Sequence, residues 1–251
     1  MKKITLSLLF VICMLLAVSS APAAPAVVSQ AHFQQGQEAY DKGDYAAALK
    51  LLTESANSGN ADAQYYLALM YDFGRGVPVD HQKAVEWYIK AAEQGQIEAQ
   101  YNLAVSYDTG EGVEQDHEKA FHWYSQSASG GDVDAMFNLA VCYDMGEGTP
   151  QSDAKALEWY QKAAEAGNTD AMFNLAIMYD EGQGIPTNPL KAFQLFKQVA
   201  EAGDADGQYE LGMMYANGRG TAKNIEQARL WLQKAAEQGH AKAGAELGGL
   251  R

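Results

Sequence analysis

The sequence predicts an all-α fold, a solenoid of stacked helical hairpins, and three observations carry that reading. A 36-residue unit runs five times from Ala63 to Lys242 without insertion or deletion, the same alanine returning at Ala63, Ala99, Ala135 and Ala171. Leu67, Leu103, Leu139, Leu175 and Leu211 are each followed four residues later by a tyrosine, from Tyr71 to Tyr215. Paired glycines then recur, from Gly74 with Gly76 to Gly218 with Gly220. A fixed period of this length marks one hairpin unit that cannot bury its apolar face alone and must stack on copies of itself.

Ahead of the repeats, Lys2 and Lys3 precede an apolar stretch from Ile4 to Val18 and a run of small residues from Ser19 to Ala26. A basic start, a short apolar stretch and small residues at the cleavage positions make up a secretory signal. The expected leader is 1–23, with Ala26 as the alternative end, and Cys13, preceded by Ile12, reads as apolar filler rather than a lipidated cysteine. The protein is therefore expected in the periplasm or secreted, with 24–32 as a disordered mature N-terminus. A shorter hairpin is expected over 33–60, turning at Gly43-Asp44-Tyr45, with Ala48 and Ala56 one period before Ala84 and Ala92. It would cap the array.

Within the five repeats, 61–242, Ala63, Leu67, Tyr71 and their equivalents form an i, i+4, i+8 stripe on a short first helix. The paired glycines break that helix in left-handed turns. No basic residue follows them, so they are not read as a phosphate loop. Asp80, Asp116, Ser152, Asn188 and Asn224 open the second helix as N-caps, each expected to contribute about 0.5–2 kcal/mol. The alanine columns at Ala84 and Ala92 let helices approach, and Trp87, Trp123, Trp159, Leu195 and Trp231 are expected to fill the gaps. On that basis Trp123→Ala would cost about 3–5 kcal/mol. Gly95, Gly131, Gly167, Gly203 and Gly239 end the second helix, and 243–251 begins a further copy that caps the last interface.

Lys and Arg number 18 against 32 Asp and Glu, a net charge of −14 that loss of Lys2 and Lys3 would take to about −16. Such an acidic chain disfavours nucleic acid and anionic lipid as partners. Beyond the leader only Cys142 remains, and its equivalents Met70, Ser106, Met178 and Met214 identify it as a buried filler with no disulfide partner. His117-Glu118 with His122 fails the zinc-protease pattern because the histidines lie five apart, not four. No nucleophile with a base recurs, so no enzyme activity, cofactor or metal is expected, and the chain is expected to be a monomer.

Ala-Gln-Tyr-Asn-Leu-Ala at 99–104, Tyr107, Gly110-Glu111-Gly112-Val113, Lys119-Ala120 and Trp123-Tyr124 together resemble the Sel-one-like repeat, a relative of the tetratricopeptide repeat. The resemblance covers about 180 residues in register. It implies a right-handed superhelix whose first helices line the concave side, and a protein–protein interaction scaffold in the bacterial envelope. A cysteine-rich branch of that family is associated with penicillin binding and weak β-lactam hydrolysis. Its hairpins are stapled by paired cysteines, which Cys142 alone cannot supply.

On the first helix, the face opposite the Leu67 stripe carries Tyr65, Tyr101, Phe137, Phe173 and Tyr209, then Leu69, Val105, Val141, Ile177 and Met213. Packing within the hairpin is not expected to require them. Asp62, Glu98, Asp134, Asp170 and Asp206 flank one side, and Asp72, Asp108, Asp144 and Asp180 the other. The expected site is an apolar trough with acidic margins for a polypeptide of basic and apolar character. The alternatives are lateral packing of the rings between successive first helices and a helix-dipole role for the Asp62 column. Asn102, Asn138 and Asn174 could hold a peptide backbone, as in tetratricopeptide relatives, or bridge neighbouring helices. The Asp72 column is expected to bond the amides of the glycine turn. A secreted host-interaction factor is the alternative function.

Overall fold

Two columns of capping side chains and three of left-handed glycines punctuate residues 25–250, which the computed structural model describes, into thirteen helices. The first hairpin is α1 (Pro25–Asp41) with α2 (Tyr45–Asn57). The next is α3 (Ala61–Phe73) with α4 (His81–Ala92), followed by α5 (Ile97–Thr109) with α6 (His117–Gly130). Then come α7 (Val133–Met145) with α8 (Asp153–Glu165), α9 (Thr169–Glu181) with α10 (Pro189–Glu201), and α11 (Ala205–Asn217) with α12 (Ile225–Glu237). A single helix, α13 (Ala241–Gly249), closes the array.

The second helices start at the expected column, and four of its five members accept from the amide three residues on: Asp80, Asp116, Asn188 and Asn224. Ser152 occupies the cap position of α8 without making that bond. The first helices have a capping column of their own that sequence reading overlooked. Asn60, Gln96, Asp132, Asn168 and Asp204, directly after the stop glycine, each accept from the amide three residues on. Gly74, Gly110, Gly146, Gly182 and Gly218 close the first helices at φ between 66° and 80°. The turn is then held by one repeated bond, in which Asp80 N donates to Tyr71 O at 2.9 Å and Asn188 N to Tyr179 O at 2.7 Å.

The core is a stack of alanines under large side chains. Ala63, Ala84, Ala99, Ala120, Ala135, Ala156, Ala171 and Ala192 are all buried, with Leu67, Leu103, Leu139, Leu175 and Leu211 between them. The largest fully buried rings are Tyr88, Tyr160 and Phe196. That position, one residue after the tryptophans, fills the gaps between helices. The tryptophans were expected to do so and do not: Trp87, Trp123 and Trp159 are only partly buried, and Trp87, Trp159 and Trp231 lie under Lys90, Lys162 and Lys234 at 3.7–4.1 Å from the ring centre. A ring that size on an outer helix face shields the core edge and leaves its other side to a cation. Between repeats, the buried amides of Gln64, Gln100 and Gln208 donate to Ala56, Ala92 and Ala200 carbonyls of the preceding hairpin.

The expected leader 1–23, with Cys13, lies outside the described residues. The expected disordered stretch 24–32 needs correction. Helix α1 begins at Pro25, and Ser29 within it is buried, exchanging hydrogen bonds with Ser55 of α2. The apolar face of α2 needs a partner over its whole length, and α1 supplies it by extending one turn and more beyond Phe33. Cleavage after Ala26 would remove the first two residues of this helix. At the other end α13 packs on α12 through Ala243, with Leu247 and Leu250 against the same small cluster.

Candidate functional site: the first-helix face

The column at Tyr65, Tyr101, Phe137, Phe173 and Tyr209 is half-buried in every repeat. Each of the first four rings packs on the ring 23 residues later in the same hairpin. Tyr65 lies 6.2 Å from Tyr88, Tyr101 6.1 Å from Tyr124, Phe137 6.0 Å from Tyr160 and Phe173 5.5 Å from Phe196. The expectation that hairpin packing does not use this column is therefore corrected, because one ring face serves the core and the other edge is left to solvent. Tyr209 is covered further, stacked at 4.4 Å on His240, the cap of α13. Leu69, Val105, Val141, Ile177 and Met213 are likewise half-buried against the core. Phe73 and Met145, 59% and 67% exposed in the last turn of α3 and α7, extend the apolar stripe and were not picked out from sequence.

The acidic residues lie where they can act on these rings. Burial, and then the charge of Glu98 in the next repeat, push the Tyr65 hydroxyl up to about 12. Burial and Asp134 raise Tyr101 in the same way. Asp62, Glu98, Asp134, Asp170 and Asp206 are all exposed. Three have local partners: Glu98 accepts from Gln96 at 2.6 Å, Asp134 from Asn168 at 3.4 Å, and Asp206 pairs with His240 at 3.2 Å.

The second acidic column does something else than expected. Asp72 Oδ2 accepts from the Tyr88 hydroxyl at 3.0 Å, Asp108 from Tyr124 at 3.5 Å and Asp144 from Tyr160 at 3.3 Å. The glycine-turn amides are instead taken by backbone carbonyls, such as Met70 O and Cys142 O. A buried phenol with no other acceptor is the stronger claimant for a carboxylate. In the fourth repeat Phe196 has no hydroxyl, and Asp180 lies 2.8 Å from Arg219 Nε, a contact of charge rather than an aligned hydrogen bond. Asn102, Asn138 and Asn174 are half-buried. Asn102 Nδ2 reaches the Tyr88 hydroxyl of the preceding repeat at 3.4 Å, so this amide bridges neighbouring helices.

Charge is sorted between the two kinds of helix. The five first helices, α3, α5, α7, α9 and α11, contain no Lys or Arg. Every second helix from α4 to α12 carries at least one. Cys142 is buried, and burial followed by the charge of Asp108 pushes its thiol up to about 12, far from the thiolate a nucleophile needs. No helix among the described residues is long and apolar enough to cross a membrane.

The Sel1 repeat family model matches residues 30–60, 61–96, 97–132, 133–168, 169–204 and 205–240. The chain belongs to the Sel1 repeat family. The first hairpin, expected as a tetratricopeptide-like cap, is itself matched as a Sel1 repeat, which brings the array to six. Among solved structures, the chain is similar to c5321, described as a protective antigen of uropathogenic Escherichia coli strains, at 37% identity and a TM-score of 0.84. That match covers 88% of this chain and 48% of the other, so this Sel1 repeat protein spans about half the length of that relative. A Sel1 repeat protein from Oxalobacter formigenes is 32% identical with a TM-score of 0.79, covering 87% of both chains. The tetratricopeptide protein YrrB, at 22% identity and a TM-score of 0.52, shares the fold alone, covering 79% of this chain and 98% of its own. No curated protein matches the chain. Sel1 and tetratricopeptide-like arrays are protein-interaction folds, and this chain has that fold.

Proposed function

We propose that this Sel1 repeat protein is a non-enzymatic scaffold of the bacterial envelope that holds a basic, apolar polypeptide along its first-helix face. One observation carries the reading: five successive first helices carry partly exposed rings and exposed carboxylates and contain no Lys or Arg, and only in the last of them are the ring and the acid taken up, by His240. Ring edges supply apolar contact, and a row of acids on helices without Lys or Arg attracts Lys and Arg while rejecting acidic chains. Export rests on the leader-like segment 1–23.

The test uses side chains whose loss leaves the core intact. Glu98, Asp134 and Asp170 are exposed, so the triple variant Glu98→Gln, Asp134→Asn, Asp170→Asn should fold and melt like the wild type. A polypeptide captured by the wild type from envelope extracts, once purified, should bind the variant more weakly and lose affinity as salt rises. Equal binding to both proteins at low salt places the contact elsewhere. A second reading, a secreted factor that meets a host receptor, draws on the description of the uropathogenic relative as a protective antigen. Fractionation that finds the protein confined to the periplasm removes it.

A further inference from the structure

Four seams between repeats, those of Asp72, Asp108, Asp144 and Asp180, bring three positions together. They are the acid in the last turn of a first helix, the first residue of the following second helix, and the residue between the paired glycines of the next repeat. The reason is a backbone contact. A Cβ on Gly112 would collide with the His81 carbonyl, one on Gly148 with that of His117, and one on Gly220 with that of Pro189. The second glycine is seated on the preceding repeat, and its neighbour in the loop falls beside the acid.

The seams satisfy that acid in different ways. Arg219 pairs with Asp180 at 2.8 Å, and Gln183 donates to Asp144 at 3.2 Å. In the Asp72 seam an imidazole stands between two carboxylates, His81 Nδ1 2.8 Å from Asp72 and Nε2 3.2 Å from Glu111. The Asp108 seam has the same residue types arranged differently. His117 Nδ1 lies 2.9 Å from Asp108, but Glu147 makes no ion pair with the ring. Instead one ligand atom from each of Asp108, His117 and Glu147 lies within 4.8 Å of the other two. Among the described residues no Lys or Arg pairs with Asp108 or Glu147. A surface concavity bordered by Gln115, His117, Gly146 and Pro150 opens alongside.

We propose that Asp108, His117 and Glu147 form a binding site for a divalent transition metal of the Zn²⁺ class. Two carboxylates and one imidazole are a borderline donor set that favours such ions over Ca²⁺ or Mg²⁺. Zn–ligand bonds of about 2.0–2.1 Å bring tetrahedral ligand atoms to roughly 3.4 Å from one another. The exposed Glu147 carboxylate must therefore close by up to about 1.4 Å, within its side-chain freedom. His117 opens α6, whose dipole places about half a positive charge there, and two full carboxylate charges outweigh it. The ligands come from α5, α6 and the next repeat's loop, so the ion pins one hairpin to the next, with a fourth position open to water.

ZnCl₂ titrated by calorimetry into the untagged full chain tests the assignment, with melting followed in parallel. The expected result is one saturable equivalent and a raised melting temperature. Glu147→Gln, an isosteric change at an exposed side chain, should weaken binding at least about tenfold, and His117→Asn should abolish it. Glu111→Gln, in the neighbouring seam, should leave it unchanged. Absence of saturable binding, or binding that survives Glu147→Gln, overturns the site, as does equal loss in Glu111→Gln.

Discussion

The Tyr88 hydroxyl donates to Asp72 Oδ2 across 3.0 Å, tying the buried middle of α4 to the last turn of α3. Tyr88 is 1% exposed, so its hydroxyl has no recourse to bulk water, and burial with the nearby Asp72 charge raises its pKa strongly. Removing the hydroxyl removes donor and desolvation together, while Asp72 keeps its contact with His81 at 2.8 Å. Tyr88→Phe should therefore destabilise by about 1.5–3 kcal/mol, the range for a hydrogen bond to a charged group. Tyr124→Phe, whose bond is 3.5 Å, should cost less. Chemical denaturation of both variants checks the order, and equal losses would mean that the bond length carries no weight.

Ser152 sits at the start of α8 without capping it, whereas Asn188 and Asn224 cap α10 and α12 from the same position. The longer amide side chain reaches the amide three residues on, and unlike aspartate it adds no charge beside Asp153. Ser152→Asn should stabilise the protein by up to about 1 kcal/mol. Asn188→Ala should destabilise by about as much. A thermal melt that moves down for Ser152→Asn would show that the serine is needed for something other than capping.

His81 gives the stability a pH dependence whose sign is fixed. The hydrogen bond to Asp72 raises its pKa, partial burial opposes this, and Glu111 reinforces it. The folded state thus holds the proton more tightly than the unfolded chain. The stabilisation is complete below the ordinary histidine value of about 6.5 and is lost as pH rises through the elevated folded value. With 37% of the side chain exposed, solvent screens the pair and the effect is modest. Melting temperatures from pH 5 to pH 8 should fall more steeply for wild type than for His81→Asn, and parallel profiles would refute the assignment.

The regular parts of this molecule were legible because each rests on a side chain that only one local structure can use. The N-cap column at Asp80, the left-handed glycines and the Leu67 stripe belong to that class. What stayed hidden was decided between helices. Tyr88 and Trp87 are both aromatic and adjacent, and periodicity alone does not say which points inward. The structure buries Tyr88 and lays Trp87 under Lys90. Tyr160→Ala, at a fully buried ring, should cost about 3–5 kcal/mol, and Trp123→Ala, only partly buried beside His122, less. The Asp72 column was misassigned for a similar reason: its partner is 16 residues away on another helix. The rings of the candidate site were recognised as a column, but their packing on the Tyr88 column depended on that same unresolved choice.

Gly148 and Gly167 separate the cost of a left-handed backbone from the cost of a seam. Both have positive φ, 67° and 98°, so alanine at either carries a backbone penalty of about 1–2 kcal/mol. Around Gly167 nothing lies within 4 Å of an added Cβ. At Gly148 the Cβ would strike the His117 carbonyl, which is backbone and cannot turn aside. Relief requires the turn after α7 to lift away from the start of α6, at a further cost of about 1–3 kcal/mol for overpacking. Gly148→Ala should therefore unfold at markedly lower denaturant than Gly167→Ala. Hydrogen exchange should show the added opening on both sides of the seam, at the start of α6 and the end of α7. Equal stability of the two variants would mean that the glycine pair is kept for its turn alone and that the repeats are not locked together at this contact.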